Sequence, residues 1–464
     1  MGIKGLPKLI QQIAGDAAIK VYKFSKFKGW AVAVDASLII HQTVIAMRGT
    51  GKDMTNSNGG LTSHLHGLFY KILIFLQNEM VPIFVFDGKA PNLKNKTIAK
   101  RRSRKVQAEK NLEELSDSDD EAYIKQFKQT FTPKNNDIKE AQILLDLMGI
   151  PYINSPGEAD IVCSWLASRR DDNGKRYVEG VCSDDSDMLP LGACYLFKDM
   201  LRFMSKNKQV KVISLKKTLV KMNLTMDQFI DLCVLLGTDY CENIKGVGPK
   251  GAYRLMLKYG SLEKVLSFLE KAKKDSSDES DSSNNSNSNA SSEASDDEEK
   301  ANIECIIKAK NYFKTAVANL DESKDFVITD DQLKLRKYQY EELMDFMCVK
   351  HNFDVVRVQT GINRLETYHK QMNVTRENTK KVHKILHPRS ENYIFTELAD
   401  DIDFLPSDEE DENDDVDEKK DIPSKKNKSK REMMKKMIAP KKKIDLEESD
   451  VSSSNMSVSD LESS

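Results

Sequence analysis

The chain has 464 residues, a length that suits one to three domains. It has no run of about eighteen apolar residues and no N-terminal signal-peptide pattern, so we expect a soluble, intracellular protein that is neither secreted nor membrane-bound. Its seven cysteines are scattered without C-x-x-C spacing, which argues against a disulfide framework, structural zinc and an iron–sulfur cluster. The net charge of −2 hides an asymmetry: residues 1–270 contain 39 Lys and Arg against 30 Asp and Glu, whereas the rest of the chain contains 32 Lys and Arg against 43 Asp and Glu. A basic body suits a polyanionic partner, although an ordinary solvated surface has the same composition.

Strands and helices alternate in the N-terminal part of the chain. The apolar runs 30–34 and 82–86 are typical of buried strands in a parallel sheet that has helices on both faces. Residues 61–80 between them have helical periodicity.

A charge-dense segment, residues 92–136, follows. It has a helical pattern that is basic over 94–105 and acidic over 113–121. A charged helix pair inserted between strands projects from its domain. Charge alone leaves open whether it is a solvated excursion or a functional element.

The α/β pattern resumes after this segment, with a helix at 138–148, a strand at 150–153, a helix that opens at Ser155 and a strand at 178–182. From 215 to 269 the pattern is mostly helical.

The composition of two segments predicts that they are disordered. Residues 275–299 contain nine acids, no bases and many Ser and Asn, and they interrupt a helical region that resumes at 301 and lasts to about 387. From about residue 400 a charged tail follows, with a basic block at 425–443. This block is a candidate nuclear localisation signal, a DNA-contacting arm or part of a solubilising tail.

Acidic residues lie where the predicted strands end. The carboxyl ends of parallel strands meet at one edge of an open α/β sheet, where ligands gather, so these side chains should build one anionic pocket. Such a pocket needs cations, and carboxylates without His or Cys favour Mg²⁺ or Mn²⁺ over zinc. The predicted ligands at the strand ends are Asp35, Asp87, Glu158, Asp160, Asp185 and Asp187.

Some of these acids have local structural alternatives. Ser155 followed three residues later by Glu158 has the pattern of a helix-capping box, which would explain Glu158 but not Asp160. A turn with Asx caps would explain one of the aspartates in residues 184–187, whereas in an extended loop alternate side chains point the same way and share one ion.

Residues 246–251 spell G-x-G-x-x-G, the pattern of a dinucleotide-binding loop. We reject that interpretation because residues 226–236 before it have helical periodicity and no strand–helix–strand unit follows. The pattern instead predicts a helix–hairpin–helix element, whose N–H groups hold a DNA phosphate without reading sequence. Its candidate DNA contacts are Gly246, Gly248 and Lys250.

Six ordered motifs resemble the flap endonuclease family of structure-specific 5′ nucleases, which also contains the XPG-type repair nucleases. They are Met-Gly-Ile-Lys-Gly-Leu (1–6), Val-Asp-Ala-Ser (34–37), Val-Phe-Asp-Gly-Lys (85–89), Gly-Glu-Ala-Asp (157–160), Asp-Ser-Asp (185–187) and the segment 237–250, which begins Gly-Thr-Asp-Tyr-Cys. The resemblance covers residues 1–270 and resumes at 341–348 and 361–365. The short spacer after residue 91 favours the flap endonuclease branch.

The resemblance implies an α/β fold: a PIN-like nuclease core with a mostly parallel central sheet flanked by helices, a helical arch through which a single-stranded 5′ end threads, and a helix–hairpin–helix or helix–two-turn–helix region. The boundaries we assign are an N-terminal nuclease region at 1–91, the arch at 92–136, an internal nuclease region with the helix–hairpin–helix at 137–270, a disordered acidic insert at 271–300, a C-terminal helical part of the core at 301–390 and a disordered tail at 391–464.

The resemblance also implies two-metal hydrolysis of DNA phosphodiesters. One Mg²⁺ would be held by Asp35, Asp87, Glu158 and Asp160, the other by Asp185, Asp187 and Asp239, with Mn²⁺ able to substitute. Lys94, Arg101 and Asp185 are the implied catalytic residues, and the two cations would stabilise charge on the scissile phosphate. Beside the hairpin residues, the implied DNA contacts are Arg48, Lys71, His41, Glu158, Gly237 and Asp239. Gly2 would lie near the site.

The chain departs from the family pattern at three positions. Asp160 stands where the family usually has Glu, His41 replaces a stacking Tyr, and Lys71 replaces an Arg and so loses bidentate phosphate geometry. The family's sliding-clamp motif is not found after Leu365, so clamp binding stays open. The expected partner is flapped or branched DNA, bound by a monomer.

The leading hypothesis is a Mg²⁺-dependent 5′ flap endonuclease with 5′→3′ exonuclease activity in DNA replication and repair, located in the nucleus or another site of replication. One alternative is a mainly exonucleolytic or Holliday-junction-cleaving relative. The other is a catalytically inactive member that serves as a DNA-binding or interaction scaffold, which the presence of all seven carboxylates disfavours.

Overall fold

A computed structural model describes residues 2–115, 120–171, 174–200, 209–278, 289–324 and 326–386. The predicted tail, residues 391–464, lies outside these ranges, and so does its basic block at 425–443.

Within the described ranges, seven strands form one sheet. They are β1 (Ile19–Lys23), β2 (Ala31–Asp35), β3 (Val81–Phe86), β4 (Tyr152–Asn154), β5 (Gly180–Cys182), β6 (Tyr195–Lys198) and β7 (Gln209–Ser214). Their order across the sheet is β1-β7-β6-β5-β2-β3-β4. Neighbours from β6 to β4 run parallel, whereas β7 pairs antiparallel with β6 and β1. This confirms the predicted mostly parallel α/β sheet.

The register of the central strands aligns their carboxyl ends. Val34 in β2 pairs with Phe84 in β3 and with Cys182 in β5, and Phe86 pairs with Asn154 in β4. Acidic residues follow each of these strands at its last residue or soon after it, so the register brings them toward one edge.

Helices cover both faces of the sheet, and among the described ones none is both long and apolar enough to cross a membrane. The helices are α1 (Leu6–Ile13), α2 (Gly15–Ala18), α3 (Ala36–Met47), α4 (Ser63–Gln77), α5 (Asn95–Glu114), α6 (Asp120–Gln129), α7 (Asn135–Leu147), α8 (Ala159–Ser168), α9 (Leu215–Met222), α10 (Met226–Leu236), α11 (Pro249–Tyr259), α12 (Leu262–Asp278), α13 (Asn289–Asp321), α14 (Tyr340–Met344) and α15 (Val355–Leu386), with a π-helical turn at Asp345–Lys350. The helices predicted at 61–80 and 138–148 correspond to α4 and α7. The segment predicted as an arch contains α5 and α6, which pack against each other.

The helix predicted to open at Ser155 begins later, at Ala159. The Ser155 hydroxyl donates to the carbonyl of Glu158 at 3.0 Å and accepts from the Gly157 N–H at 3.2 Å, so these residues form a turn that precedes the helix. The capping-box interpretation is therefore wrong: the Ser155 hydroxyl is used within the turn.

The helices α12 and α13 extend into the segment 275–299 that was predicted to be disordered. α12 continues to Asp278 and α13 begins at Asn289, so residues 279–288 alone separate them. Both helices pack into the core through buried apolar residues, among them Val265 and Phe313. Helical hydrogen bonding propagates outward from such packed turns, and composition alone does not register this cooperativity.

The apolar core anchors the strand ends. Phe84, Val34 and Val181 are completely buried in the sheet. Beside them, the rings of Phe27 and Phe197 meet edge to face with centroids 5.1 Å apart. Burying a side chain of this size contributes about 1.5–3 kcal/mol, so these residues stabilise the sheet whose strand ends carry the acids.

Candidate active site

Two carboxylates at the ends of neighbouring strands cap helices. Asp35, the last residue of β2, is buried and accepts a hydrogen bond from the Leu38 N–H in the first turn of α3 at 3.0 Å. Asp87, which follows β3, accepts from the Ala159 N–H at 2.9 Å and thereby caps α8 from a distant part of the chain. Each bond fixes the direction of its carboxylate.

Glu158 turns its side chain away from the helix that it precedes. Its Oε2 accepts hydrogen bonds from the hydroxyls of Tyr240 at 2.5 Å and Tyr312 at 2.8 Å, and its Oε1 forms an ion pair with Lys94. The residue is 5% exposed. The Glu158 side chain therefore binds residues inside the site and does not cap the helix that follows it.

The three aspartates after β5 divide into two roles. Asp184 is held by the Gln42 amide at 2.8 Å and the Asp199 N–H at 3.0 Å. Asp185 and Asp187 are buried, and the Asp185 carboxylate accepts from the Asp187 N–H at 3.0 Å. Asp187 Oδ1 is buried without a hydrogen-bond partner among the described residues. The pair, and not Asp184, faces the other strand-end acids.

The buried acids repel one another. Burial, aided by the charge of Asp87, raises the pKa of Asp35 to about 7. Burial and the Asp185 carboxylate raise the pKa of Asp160 and of Asp187 well above the usual range. Repulsion between their charges connects all seven predicted ligands into one group. We name this group the carboxylate cluster: Asp35, Asp87, Glu158, Asp160, Asp185, Asp187 and Asp239.

The carboxylate cluster suits a hard divalent cation. Its donors are all carboxylate oxygens, and the unpartnered Asp187 Oδ1 is an available ligand. In the part of the chain that the structure describes, no three acidic, histidine or cysteine side chains close around a single cation position. Two predicted ligands, Glu158 and Asp239, are instead paired with Lys94 and Arg101. The donor chemistry fits Mg²⁺ or Mn²⁺, and the side-chain cations neutralise part of the charge.

Lys94 and Arg101 bring the first helix of the arch to the cluster. Lys94 lies immediately before α5 and Arg101 within it, and the Arg101 guanidinium is 2.5 Å from the Asp239 carboxylate. Burial opposes the charge of Lys94, but Glu158 and Asp160 outweigh it and raise its pKa. Lys94 is therefore an ammonium ion at neutral pH.

The helix–hairpin–helix prediction is confirmed in the described residues, with α10, a loop and α11 in sequence. Gly237 ends α10 at φ 88°, and a Cβ there would lie 2.8 Å from the Asn243 nitrogen, so a larger residue would be strained. Gly248 precedes α11, and it is exposed together with Gly246 and Lys250. Their DNA contacts stay predictions.

The other predicted DNA contacts lie on α3, on the turn after it and on α4. His41 packs against Phe131 with ring centroids 5.9 Å apart, and burial lowers its pKa. Arg48 is buried and donates four hydrogen bonds to Asp53, Phe127 and Thr130. Lys71 is 4% exposed, and burial lowers its pKa to about 8 despite the charge of Asp184. Their contacts with DNA also stay predictions.

Three further residues lie beside the cluster, of which only Gly2 is predicted from the sequence. Gly2 lies where expected, since a Cβ there would overlap the Asp185 carboxylate and lie 2.8 Å from Asp187 Oδ1. Tyr240 and Tyr312 were missed. Tyr240 adjoins the last predicted ligand and was a visible candidate, whereas Tyr312 lies in an ordinary helical pattern with no local signal.

Two protein-family models match this chain. The model of the XPG N-terminal domain matches residues 1–108, and that of the XPG I-region matches residues 149–239. All seven acids of the carboxylate cluster lie within these two regions, and Lys94 and Arg101 lie within the first of them. The fold and the site thus define a nuclease of the XPG class.

Individual relatives narrow the class. Flap endonuclease 1 of Phytophthora infestans is 35% identical over 376 residues, which cover 79% of this chain and 88% of the relative; that of Bos taurus is 33% identical over 368 residues, covering 79% and 86%. The solved flap endonuclease-1 from Methanococcus jannaschii is 25% identical with a TM-score of 0.52 and covers 76% of this chain and 97% of its own. The Rad2 catalytic core, at 23% identity and TM-score 0.52 over 78% of this chain and 100% of its own, shares the fold. The chain belongs to the flap endonuclease family, whose members are metal-dependent nucleases that hydrolyse DNA phosphodiester bonds.

Proposed function

We propose that the carboxylate cluster cleaves DNA at the junction between a single-stranded 5′ flap and a duplex, and that the same site removes nucleotides 5′→3′ from an exposed end. The observation that carries this proposal is the pairing of Lys94 with Glu158 and of Arg101 with Asp239. It puts the arch cations and the acidic edge of the sheet at one place, where a phosphodiester would meet both.

In this proposal the cluster holds two Mg²⁺ ions, for which Mn²⁺ can substitute. Bound ions of this kind generate a nucleophilic water and stabilise the leaving oxygen of a phosphodiester. One ion is assigned to Asp35, Asp87, Glu158 and Asp160, the other to Asp185, Asp187 and Asp239. The protein contributes the fixed direction of the carboxylates through the N–H groups of Leu38, Ala159 and Asp187 and the hydroxyls of Tyr240 and Tyr312.

Lys94 and Arg101 have a second partner in this reaction. A scissile phosphate at the cluster would compete with the carboxylates of Glu158 and Asp239 for these two cations. The transition state carries more negative charge than the bound substrate, so it would interact with the cations more strongly. Asp185 is the carboxylate we consider most directly catalytic, because it contacts Asp187 and interacts with Asp239.

Residues outside the carboxylate cluster would hold the DNA. The Rad2 catalytic core was solved in complex with DNA substrate. In this chain the exposed hairpin would bind backbone phosphates, His41 would stack on a base beside the cleaved bond, and Lys71 would contribute charge. The proposed contacts of the exposed hairpin are Gly246, Gly248 and Lys250, and Gly237, buried at the end of α10, is a further proposed contact at the entry to the hairpin.

A cleavage assay tests the proposal. Purified protein with Mg²⁺ is given a labelled 5′-flap duplex, a duplex with a recessed 5′ end and a four-way junction. We expect incision at the flap junction; Asp185→Ala should abolish it while leaving flap binding largely intact, and the exposed Asp16→Ala should behave as wild type. Binding without incision by the wild type would indicate an inactive scaffold, and preferred cleavage of the four-way junction would indicate the Holliday-junction alternative.

We also propose that the basic block 425–443 directs the chain to the nucleus. The support is the charge of that block alone. A fluorescent fusion whose lysines in this block are replaced by Gln should lose nuclear enrichment; unchanged enrichment would contradict the proposal.

A further inference from the structure

The N-terminal segment, residues 2–5, bonds to two separate parts of the candidate site. On one side, the Ile3 N–H donates to the Ser186 hydroxyl at 3.0 Å. On the other side, the N–H of the next residue, Lys4, donates to the Gly237 carbonyl at 3.2 Å. We name residues 2–5 the N-terminal strap, since they connect the loop that follows β5 to the loop that follows α10.

The loop after β5 carries Ser186 between two proposed metal ligands, Asp185 and Asp187. Ser186 is completely buried and Ile3 is 2% exposed, so the bond between them is shielded from water. Because α1 begins only at Leu6, the Ile3 N–H lies outside the helix and needs a partner elsewhere. The Ser186 hydroxyl is such a partner, and it anchors the strap directly beside both ligands.

The other end of the strap is held by the hairpin region. Besides the backbone bond of Lys4, the ammonium group of this residue lies 3.3 Å from the amide oxygen of Asn243. A Cβ at Gly5 would lie 2.9 Å from Pro249, the first residue of α11, so the strap packs closely against that helix. The loop between α10 and α11 also contains Asp239. The strap therefore connects the chain segments from which one proposed set of metal ligands is drawn.

We propose that Ser186 is a positioning residue, which fastens the N-terminal strap to the loop after β5 and thereby fixes Asp185 and Asp187 relative to Asp239. The two segments carry like charges and repel each other when no cation lies between them. Because the two N–H groups of the strap belong to consecutive residues, the strap cannot lengthen and it opposes this separation. The effect on metal binding rests on the proposed function, whereas the attachment itself does not.

Two variants remove the same hydrogen bond from opposite sides. Ser186→Ala removes the acceptor, and Ile3→Pro removes the N–H donor without changing the loop that holds the ligands. Ile3→Val is the control for the altered side chain, and Ser168→Ala, in the last residue of α8, is the control for the loss of a serine hydroxyl. If Ser186 acts through the strap, the two variants that remove the bond have the same effect on Mg²⁺ binding.

Three measurements are made on the full chain. Amide hydrogen exchange without Mg²⁺ or DNA should be faster over residues 183–188 in Ser186→Ala and Ile3→Pro and unchanged in the two controls. Calorimetric titration of these two variants should give a Kd for Mg²⁺ that is raised roughly 10-fold. Single-turnover cleavage of a 5′-flap duplex should need correspondingly more Mg²⁺, while the rate at saturating Mg²⁺ and the Kd for the flap stay near those of the wild type.

Unchanged exchange or unchanged Mg²⁺ affinity in Ser186→Ala would overturn the proposal. Weaker Mg²⁺ binding by Ser186→Ala together with normal binding by Ile3→Pro would also overturn it, because the effect would then belong to the loop itself. Should Ile3→Pro not fold, exchange and calorimetry of Ser186→Ala against Ser168→Ala decide. A wild type that fails to cleave the flap duplex would refute the proposed function, while the exchange result still decides the attachment.

Discussion

Tyr312 donates a hydrogen bond to Glu158 across 154 residues of chain, at 2.8 Å. Tyr240 donates to the same carboxylate oxygen at 2.5 Å, and the two phenol rings lie 4.7 Å apart. Tyr312 belongs to α13, which lies beyond the regions matched by the XPG family models. A helix of the C-terminal part of the core thus holds a proposed metal ligand.

Tyr312→Phe removes one of these hydrogen bonds without altering the packing of the ring. Hydrogen bonds to ligating carboxylates typically change metal affinity or activity by about 10- to 100-fold when lost. We expect a higher Mg²⁺ concentration for half-maximal cleavage and a lower rate, with unchanged affinity for the flap duplex. A Mg²⁺ titration of single-turnover rates measures this. Tyr340→Phe, which removes an exposed hydroxyl of α14, is the matched control; equal behaviour of the two variants would contradict the role of Tyr312.

Arg101→Ala should lower the single-turnover rate roughly 100- to 1,000-fold, because a preorganised donor at the scissile phosphate is lost. Flap affinity should change far less, since the side chain is half exposed and its pairing with Asp239 shows it directed at the cluster. The two quantities come from quench-flow and fluorescence anisotropy. Lys28→Ala, in the exposed turn that precedes β2, is the control. A large loss of affinity with the rate intact would place Arg101 among the DNA contacts instead.

Asp35 makes stability depend on pH. Its pKa rises from 3.8 to about 7 in the folded state, so the folded protein binds a proton that the unfolded chain releases. Without divalent cations, the free energy of unfolding should therefore fall between about pH 4 and pH 7, by up to about 1.4 kcal/mol per pH unit for this group. Urea denaturation in chelator-containing buffers measures the slope.

Two comparisons test this pH dependence. Asp35→Asn should flatten the fall in stability, and Mg²⁺ at pH 7.5 should restore stability to the wild type, because a ligand of the folded state stabilises it. Parallel pH profiles of the wild type and Asp35→Asn would show that the carboxyl is solvated and not buried in the cluster.

Lys71 makes stability depend on pH in the opposite direction. Burial lowers its pKa from 10.5 to about 8, so the folded state disfavours the ammonium form. The free energy of unfolding should rise from this group as pH increases from about 8 to 10.5. At pH 7, Lys71→Met should be more stable than the wild type by up to about 3 kcal/mol.

The same variant bears on DNA binding. If Lys71 contributes charge to the DNA interface, Lys71→Met should weaken flap binding and reduce its salt dependence while it stabilises the protein. Chemical denaturation and anisotropy over a salt series measure both effects. A less stable Lys71→Met protein would mean that the contacts of the ammonium group outweigh its burial.

Sequence alone was sufficient for the features that local pattern encodes. Apolar runs ending in Asp35 and Asp87 identified strands because parallel strands bury both faces, and the helical period before Gly237 excluded a dinucleotide fold. The motifs around Asp185 and Asp239 identified the family, since family resemblance is carried by short segments near the chemistry.

Tertiary structure decided how these residues are used. Asp87 caps α8, Tyr312 holds Glu158, and Ser186 binds Ile3, each through a contact between segments that are far apart in the chain. The capping-box alternative failed for the same reason, because the Glu158 carboxylate is bound by Tyr240, Tyr312 and Lys94 instead. Local periodicity specifies which face of an element is buried, whereas the hydrogen-bond partner of a buried polar group depends on which distant segment folding brings beside it.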